Sequence, residues 1–194
     1  MKRQLTLAEY RAVDLTILAV ILAVLEYGMT LAARQWFPGQ LYTVSLTAAL
    51  CAIVLMRWGS WAGVHAVLGG IVFWYASGGT GQQLLIYGIG NLASLLVLPV
   101  LGKGGKEKIR RDKLFTALFA LAVTLCMQLG RAIIALLLGT SLVFCAGFFT
   151  TDALSGVFAM VVVSLAARLD GVFEDQKQYL RRLQEQQKKE KGGF

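Results

Sequence analysis

Charge is scarce in this sequence: Asp, Glu, Lys and Arg make up 15% of its 194 residues, against 57% hydrophobic residues. The few charges are gathered into short segments instead of being spread along faces, which excludes an ordinary water-exposed globular surface. Histidine occurs once, as His65, and a ring bonded to a neighbouring helix is its simplest role. Cys51, Cys126 and Cys145 lie in or beside apolar runs with no CxxC or Cys/His spacing, so they read as packing residues, and neither a metal nor a redox cofactor is expected. Walker, HExxH and GxSxG motifs are absent, and no catalytic residue is expected.

What is present is a series of apolar runs of about 20 residues, each able to reach about 30 Å as a helix, the hydrocarbon thickness of a bilayer. The runs are Val13 to Ala33, Leu41 to Met56, Trp58 to Ala76, Leu84 to Leu101, Leu114 to Leu138 and Phe148 to Ala167. They predict an all-α membrane protein, a compact bundle of six transmembrane helices over residues 1–169. Residues 170–194 form a separate tail. A removable signal peptide is not expected, because the first run is long, carries Glu26 and lacks a small-residue cleavage pattern.

The net charge of +8 takes its meaning from where the basic residues fall. With six spans and the amino terminus inside, 17 of the 19 Lys and Arg residues lie on the cytoplasmic side, leaving Arg34 outside and Arg131 within a span. Lys2, Arg3, Arg11 and Arg57 contribute. So do the loop Gly102 to Lys113, Arg168 and the tail. Both termini are therefore placed in the cytoplasm, membrane lipid is the surface such a basic face meets, and nucleic acid is not an expected partner. Val172, Phe173, Gln176, Tyr179, Leu180 and Leu183 recur at helical spacing, which predicts an amphipathic helix from Asp170 to about Gln186. Leu5 to Arg11 reads as a shorter version.

The outer connections, Arg34 to Gln40, Ser77 to Gln83 and Gly139 to Gly147, are short, nearly uncharged and rich in turn formers. Trp36, Trp74 and Tyr75 crowd this rim, either as an interfacial belt or as lids over a pocket. Helical rise brings Glu26, Asn91, Gln128, Arg131 and Asp152 to one level in the outer half of the bundle. Ionisable groups at such depth cost about 2.5–3.5 kcal/mol each on insertion scales, so each needs a partner, water or a function. One reading is a pocket in which Arg131 offers its fork of donors to an anionic group, Glu26 and Asp152 accept from amines or hydroxyls, and Trp36, Trp74, Tyr75 and Tyr87 stack on a ring. The other is an ion pair of Arg131 with Glu26 or Asp152 that only knits the bundle.

Ala19-Val20-Ile21-Leu22-Ala23 in the first span is a small-xxx-small face, a spacing also shown by Ala62/Ala66 and Gly28/Ala32. With six short spans, outer loops able to cover a pocket and a basic interior, the whole chain resembles the substrate-binding S components of energy-coupling factor (ECF) vitamin transporters, whose AxxxA motif the Ala19 to Ala23 segment matches. The resemblance implies a high-affinity subunit of a bacterial plasma membrane that captures a vitamin or related micronutrient from outside. Such a subunit docks on a transmembrane coupling protein with two ATPase subunits, and Ala19 and Ala23 would pack on the coupling protein. The pocket residues are not carried over from the family.

Other classes are weaker. Ala167-Arg168 and Asp170-Gly171 carry pieces of a lipid-headgroup transferase motif in reversed order, and Ser155 and His65, as an intramembrane protease pair, are predicted near opposite sides. The main alternative is a non-catalytic polytopic membrane scaffold of a cell-envelope complex, whose basic inner face recruits partners.

Overall fold

The computed structural model describes residues 6–39, 42–102 and 104–191, with the side chains of residues 183, 184 and 186–191 excepted. Lys2, Arg3, Leu5, Gln40, Leu41 and Lys103 therefore lie outside the described residues, as do the side chains of Leu183, Gln186, Lys188, Lys189 and Lys191. All regular structure among the described residues is helical. The helices are α1 (Leu7–Trp36), α2 (Thr47–Trp58), α3 (Ala62–Ser77), α4 (Gly81–Gly90), α5 (Gly105–Arg111), α6 (Lys113–Leu137), α7 (Leu142–Thr151), α8 (Ala153–Ala166) and α9 (Gln176–Lys191). A 3-10 segment, Asn91–Leu101, prolongs α4.

Five helical stretches are long and apolar enough to cross a membrane: Leu7–Trp36, Thr47–Ser77, Gly81–Leu101, Lys113–Leu137 and Leu142–Ala166. The second is not a straight rod. Extended at 1.5 Å per residue, Thr47 and Gly69 would stand roughly 33 Å apart. Instead a methyl group on Gly69 would overlap the Thr47 side chain. The reversal falls at Gly59, whose φ of 63° and ψ of −123° suit a residue without a Cβ, and α2 and α3 lie side by side as a hairpin.

Every residue of α2, from Thr47 to Trp58, is buried, which makes this helix the axis of the core. Around it, α1 buries only a stripe, Leu22, Glu26 and Thr30, while Val13, Ile17, Val20 and Val24 on its other side are exposed. A helix apolar on its exposed face as well as its buried one suits a lipid surround, not water. The chain is thus a multi-helix bundle of membrane character.

Several boundaries differ from the sequence expectation. The predicted second span begins six residues late: Tyr42 to Ser45 are non-helical and α2 starts at Thr47. The outer loop Gly139 to Gly147 shrinks, because Ser141 accepts from the Phe144 N–H and starts α7 at Leu142; the last apolar stretch then bends at Asp152. Leu7 to Arg11 belongs to α1 itself, where Thr6 and Glu9 form a reciprocal capping box. The loop Gly102 to Lys113 contains α5.

The tail differs for a reason visible at the basic end of the bundle. Gly171 has φ of +70°, and its carbonyl and that of Val172 each accept from Arg57 Nη1 at 2.8 Å. Arg57 also grips both oxygens of Asp14, at 2.9 and 2.5 Å, and Trp58 Nε1 donates to the same carboxylate at 2.6 Å. Phe173 is fully buried, edge-on to Phe119. These contacts hold Arg168 to Asp175 as turns, so the helix predicted from Asp170 starts only at Gln176.

Candidate functional site

Glycine-mediated crossings bring distant polar residues together at the other end of the bundle. A Cβ on Gly70 of α3 would overlap the Tyr87 carbonyl of α4, and one on Gly130 of α6 would overlap the Gly90 carbonyl. The backbones of α4 and α6 therefore touch where a side chain would hold them apart, and the next residues along, Asn91 and Arg131, meet.

Arg131 Nε donates to Asn91 Oδ1 at 2.7 Å, and Arg131 Nη1 forms an ion pair with Asp152 Oδ2. The guanidinium lies over the Tyr87 ring, 5.0 Å from its centroid. Asn91 Nδ2 in turn donates to the Ala66 carbonyl at 3.1 Å, and the Thr43 hydroxyl donates to Asp152 Oδ1. Both members of the ion pair are nearly buried, with side chains 8% and 12% exposed, so each charge depends on the other. Gln128 is buried one turn below Arg131 on the same helix.

Glu26 joins this layer by another route. Its Oε2 accepts from the Leu46 N–H at 2.7 Å, at the N-terminus of α2, where the helix dipole favours a carboxylate. Ser155 Oγ accepts from the Ser45 N–H and donates to the Thr43 carbonyl, both at 3.0 Å, and the Thr43 N–H reaches the Thr151 carbonyl at 3.0 Å. Non-helical backbone at membrane depth is tolerated only where protein supplies its hydrogen bonds. Glu26, Ser155 and Thr151 supply them for this segment.

Four of the five polar residues named from depth thus share two connected arrangements: Asn91, Arg131 and Asp152 in one, Glu26 in the other, with Thr43 to Leu46 between them. None of the five is among the residues that line the cavity at the aromatic end. The cavity lies one layer nearer the aromatic end, about 390 Å³, walled by Thr30, Ala33, Arg34, Phe37, Tyr42, Thr43, Phe73 and Ser77. Its connection to the charged layer runs through Thr43, which binds Asp152, and through Thr30, one turn above Glu26. A larger hollow of about 590 Å³ at the basic end is lined by Lys106, Arg110, Glu174, Asp175 and Arg182, which are tied to one another: Lys106 with Asp175, and Glu174 with both Arg110 and Arg182.

Arg34, Phe37 and Ser77 belong to the outer connections expected to cover a pocket, whereas Thr30, Tyr42, Thr43 and Phe73 were not expected at a site, although a signal was there. Tyr42-Thr43-Val44-Ser45-Leu46-Thr47 alternates apolar and polar residues, the period of extended chain, and Thr30 follows Glu26 by one helical turn.

The aromatic residues divide. Tyr87 is packed into the charged layer, edge-on to Phe73 at 4.8 Å. Trp74 ties down the following turn through Nε1 and the Thr80 carbonyl at 2.8 Å. Trp36 and Tyr75 are 72% and 69% exposed, Tyr75 stacked on Tyr27, as interfacial residues would be. Ala19 and Ala23 are half-buried beside the α1 stripe. His65 Nε2 bonds the Leu15 carbonyl at 3.1 Å, and Ser155 is committed to backbone. Among the described residues no group of His, Cys, Asp and Glu could hold a metal ion.

No family model matches the chain, and neither a curated protein nor a solved structure does.

Proposed function

We propose that this chain is a membrane-embedded receptor for a small polar solute, of the kind that the S components of ECF vitamin transporters represent. In this reading the hairpin at Gly59 makes six crossings, both termini and the tail helix α9 face the cytoplasm of a bacterial cell, and α9 lies along the inner surface. The solute, a vitamin or related micronutrient, is captured from outside and handed inward after docking on a coupling protein with two ATPase subunits, Ala19 and Ala23 facing that partner. The observation that carries the reading is the cavity at the aromatic end, mixed in character and set directly on a buried, hydrogen-bonded charged layer. Pockets with apolar walls and a few placed polar groups are the usual form of small-molecule sites.

Native mass spectrometry of detergent-purified protein tests it. A stoichiometric small molecule is expected, and it should be lost in Ser77→Trp, which fills the cavity without touching the Arg131 network. Replacing Ala19 and Ala23 with Trp should block uptake and spare binding. For the topology, single cysteines at Ser77 and Lys106 should be labelled from opposite sides of the membrane.

One observation favours a second reading, the non-catalytic scaffold of a cell-envelope complex: Arg131 is already engaged by Asp152 and Asn91. Protein that purifies without any solute and shows no uptake would favour it.

A further inference from the structure

The cavity carries a polarity of its own. At its floor, Thr30 is 6% exposed and its hydroxyl has no hydrogen-bond partner. One turn below on the same face, Glu26 is fully buried; Oε2 is used by the Leu46 N–H, while Oε1 has no partner, and neither has the neighbouring Thr47 hydroxyl. Buried oxygens left unpaired are uncommon, because each gives up its bonds to water without replacement. Arg131 does not relieve them, since it is held by Asp152 and Asn91. The two hydroxyls can donate as well as accept, but neither carries a charge to set against the Glu26 carboxylate, and a positively charged donor matches it best.

The rim has the opposite character. Arg34 lines the cavity one turn above Thr30, and its Nη1 donates to the Ala76 carbonyl at 2.6 Å, which fixes the guanidinium at the mouth as a fork of donors for an acid. Phe37, Tyr42 and Phe73 form apolar walls between the two levels. Thr30 and Arg34 are one helical turn apart along α1, about 6 Å at the backbone. The length of the Arg34 side chain adds to this, which leaves room for a single ring with a charged substituent at each end.

We propose that the solute is a zwitterionic ring compound, seated with its protonated amine at Thr30, above the buried charge of Glu26, its ring between the aromatic walls and its acid group at Arg34. This rests on the receptor reading above and adds the substrate's class and orientation to it.

The test uses the full chain in lipid nanodiscs and three probes: 4-(aminomethyl)benzoate, which has both charges, 4-methylbenzylamine, which has the amine alone, and 4-methylbenzoate, which has the acid alone. Dissociation constants are read by calorimetry or ligand-observed NMR. The zwitterion is expected to bind at least tenfold more tightly than either half. Glu26→Gln keeps the acceptor for Leu46 and the side-chain volume, and should erase the zwitterion's advantage over the acid alone. Arg34→Gln should erase its advantage over the amine alone. Retained preferences in both variants, or half-compounds that bind as well as the zwitterion, would overturn the proposal. If a solute co-purifies yet the wild type shows no preference among the probes, the assignment fails and the receptor reading stands. If no probe binds and nothing co-purifies, both fall.

Discussion

Gly90 and Gly130 are in backbone contact, and the contact leaves no room for a side chain: a Cβ on Gly90 would come within 2.7 Å of Arg131 Cα. The adjacency of Asn91 and Arg131 follows from that approach, since a methyl group on either glycine has to push α4 and α6 apart. Gly130→Ala should destabilise the bundle by about 1–3 kcal/mol, the usual cost of overpacking. Thermal unfolding in detergent measures it, and an unchanged midpoint would mean that the helices do not pack this closely.

The Arg131–Asp152 pair should behave as one unit. Breaking it from either side leaves an uncompensated buried charge, so Arg131→Met and Asp152→Leu should each cost about 3–5 kcal/mol, whereas the double variant should recover most of the loss. Additive losses would show that the two charges do not depend on each other.

At the basic end, Arg57 joins α1, α2 and the Gly171–Val172 turn through the Asp14 carboxylate and two carbonyls. Lysine keeps the charge but not the planar fork that makes these bonds together. Arg57→Lys is expected to release the turn and speed tryptic cleavage at Lys177, Arg181 and Arg182, with a loss of about 2 kcal/mol for the missing charged hydrogen bonds. Cleavage at the wild-type rate would show that Phe173 and the ion pairs of Glu174 and Asp175 hold the turn without Arg57.

Acid should loosen α5 without disturbing the membrane bundle. The Arg111 guanidinium beside Glu107, with help from Arg110, holds this exposed carboxyl below the usual 4.5. A lowered folded value means the contribution is complete above the unfolded value and disappears as pH falls through the folded one. Hydrogen exchange in α5, corrected for its intrinsic pH dependence, should be constant from pH 8 to about 5 and should rise below roughly 4.5, since only there does Glu107 take up its proton. Glu107→Gln should exchange faster at every pH.

Much of the site was legible because depth in a membrane helix is simple arithmetic. Arg131, Asp152 and Asn91 meet as their positions along the apolar runs require, and the cost of isolated charge in such a setting makes their pairing expected. Glu26 was placed at the right level, and of the two ion pairs the sequence offered for Arg131 the structure shows the one with Asp152. The hydrogen bond of Glu26 goes to a backbone N–H that is free only because Tyr42 to Ser45 are extended, and a hydropathy run does not distinguish buried extended chain from buried helix. Two walls of the cavity, Tyr42 and Thr43, were missed for the same reason, since they belong to that segment.

By itself the sequence determined the membrane character, the helical class and the level of each buried polar group, because these depend on local composition and on rise per residue. Which groups face one another was decided by the tertiary structure. Glycine contacts, the reversal at Gly59 and the turn held by Arg57 set the separations and rotations of the helices, and these arise from surfaces fitting across residues far apart in the chain.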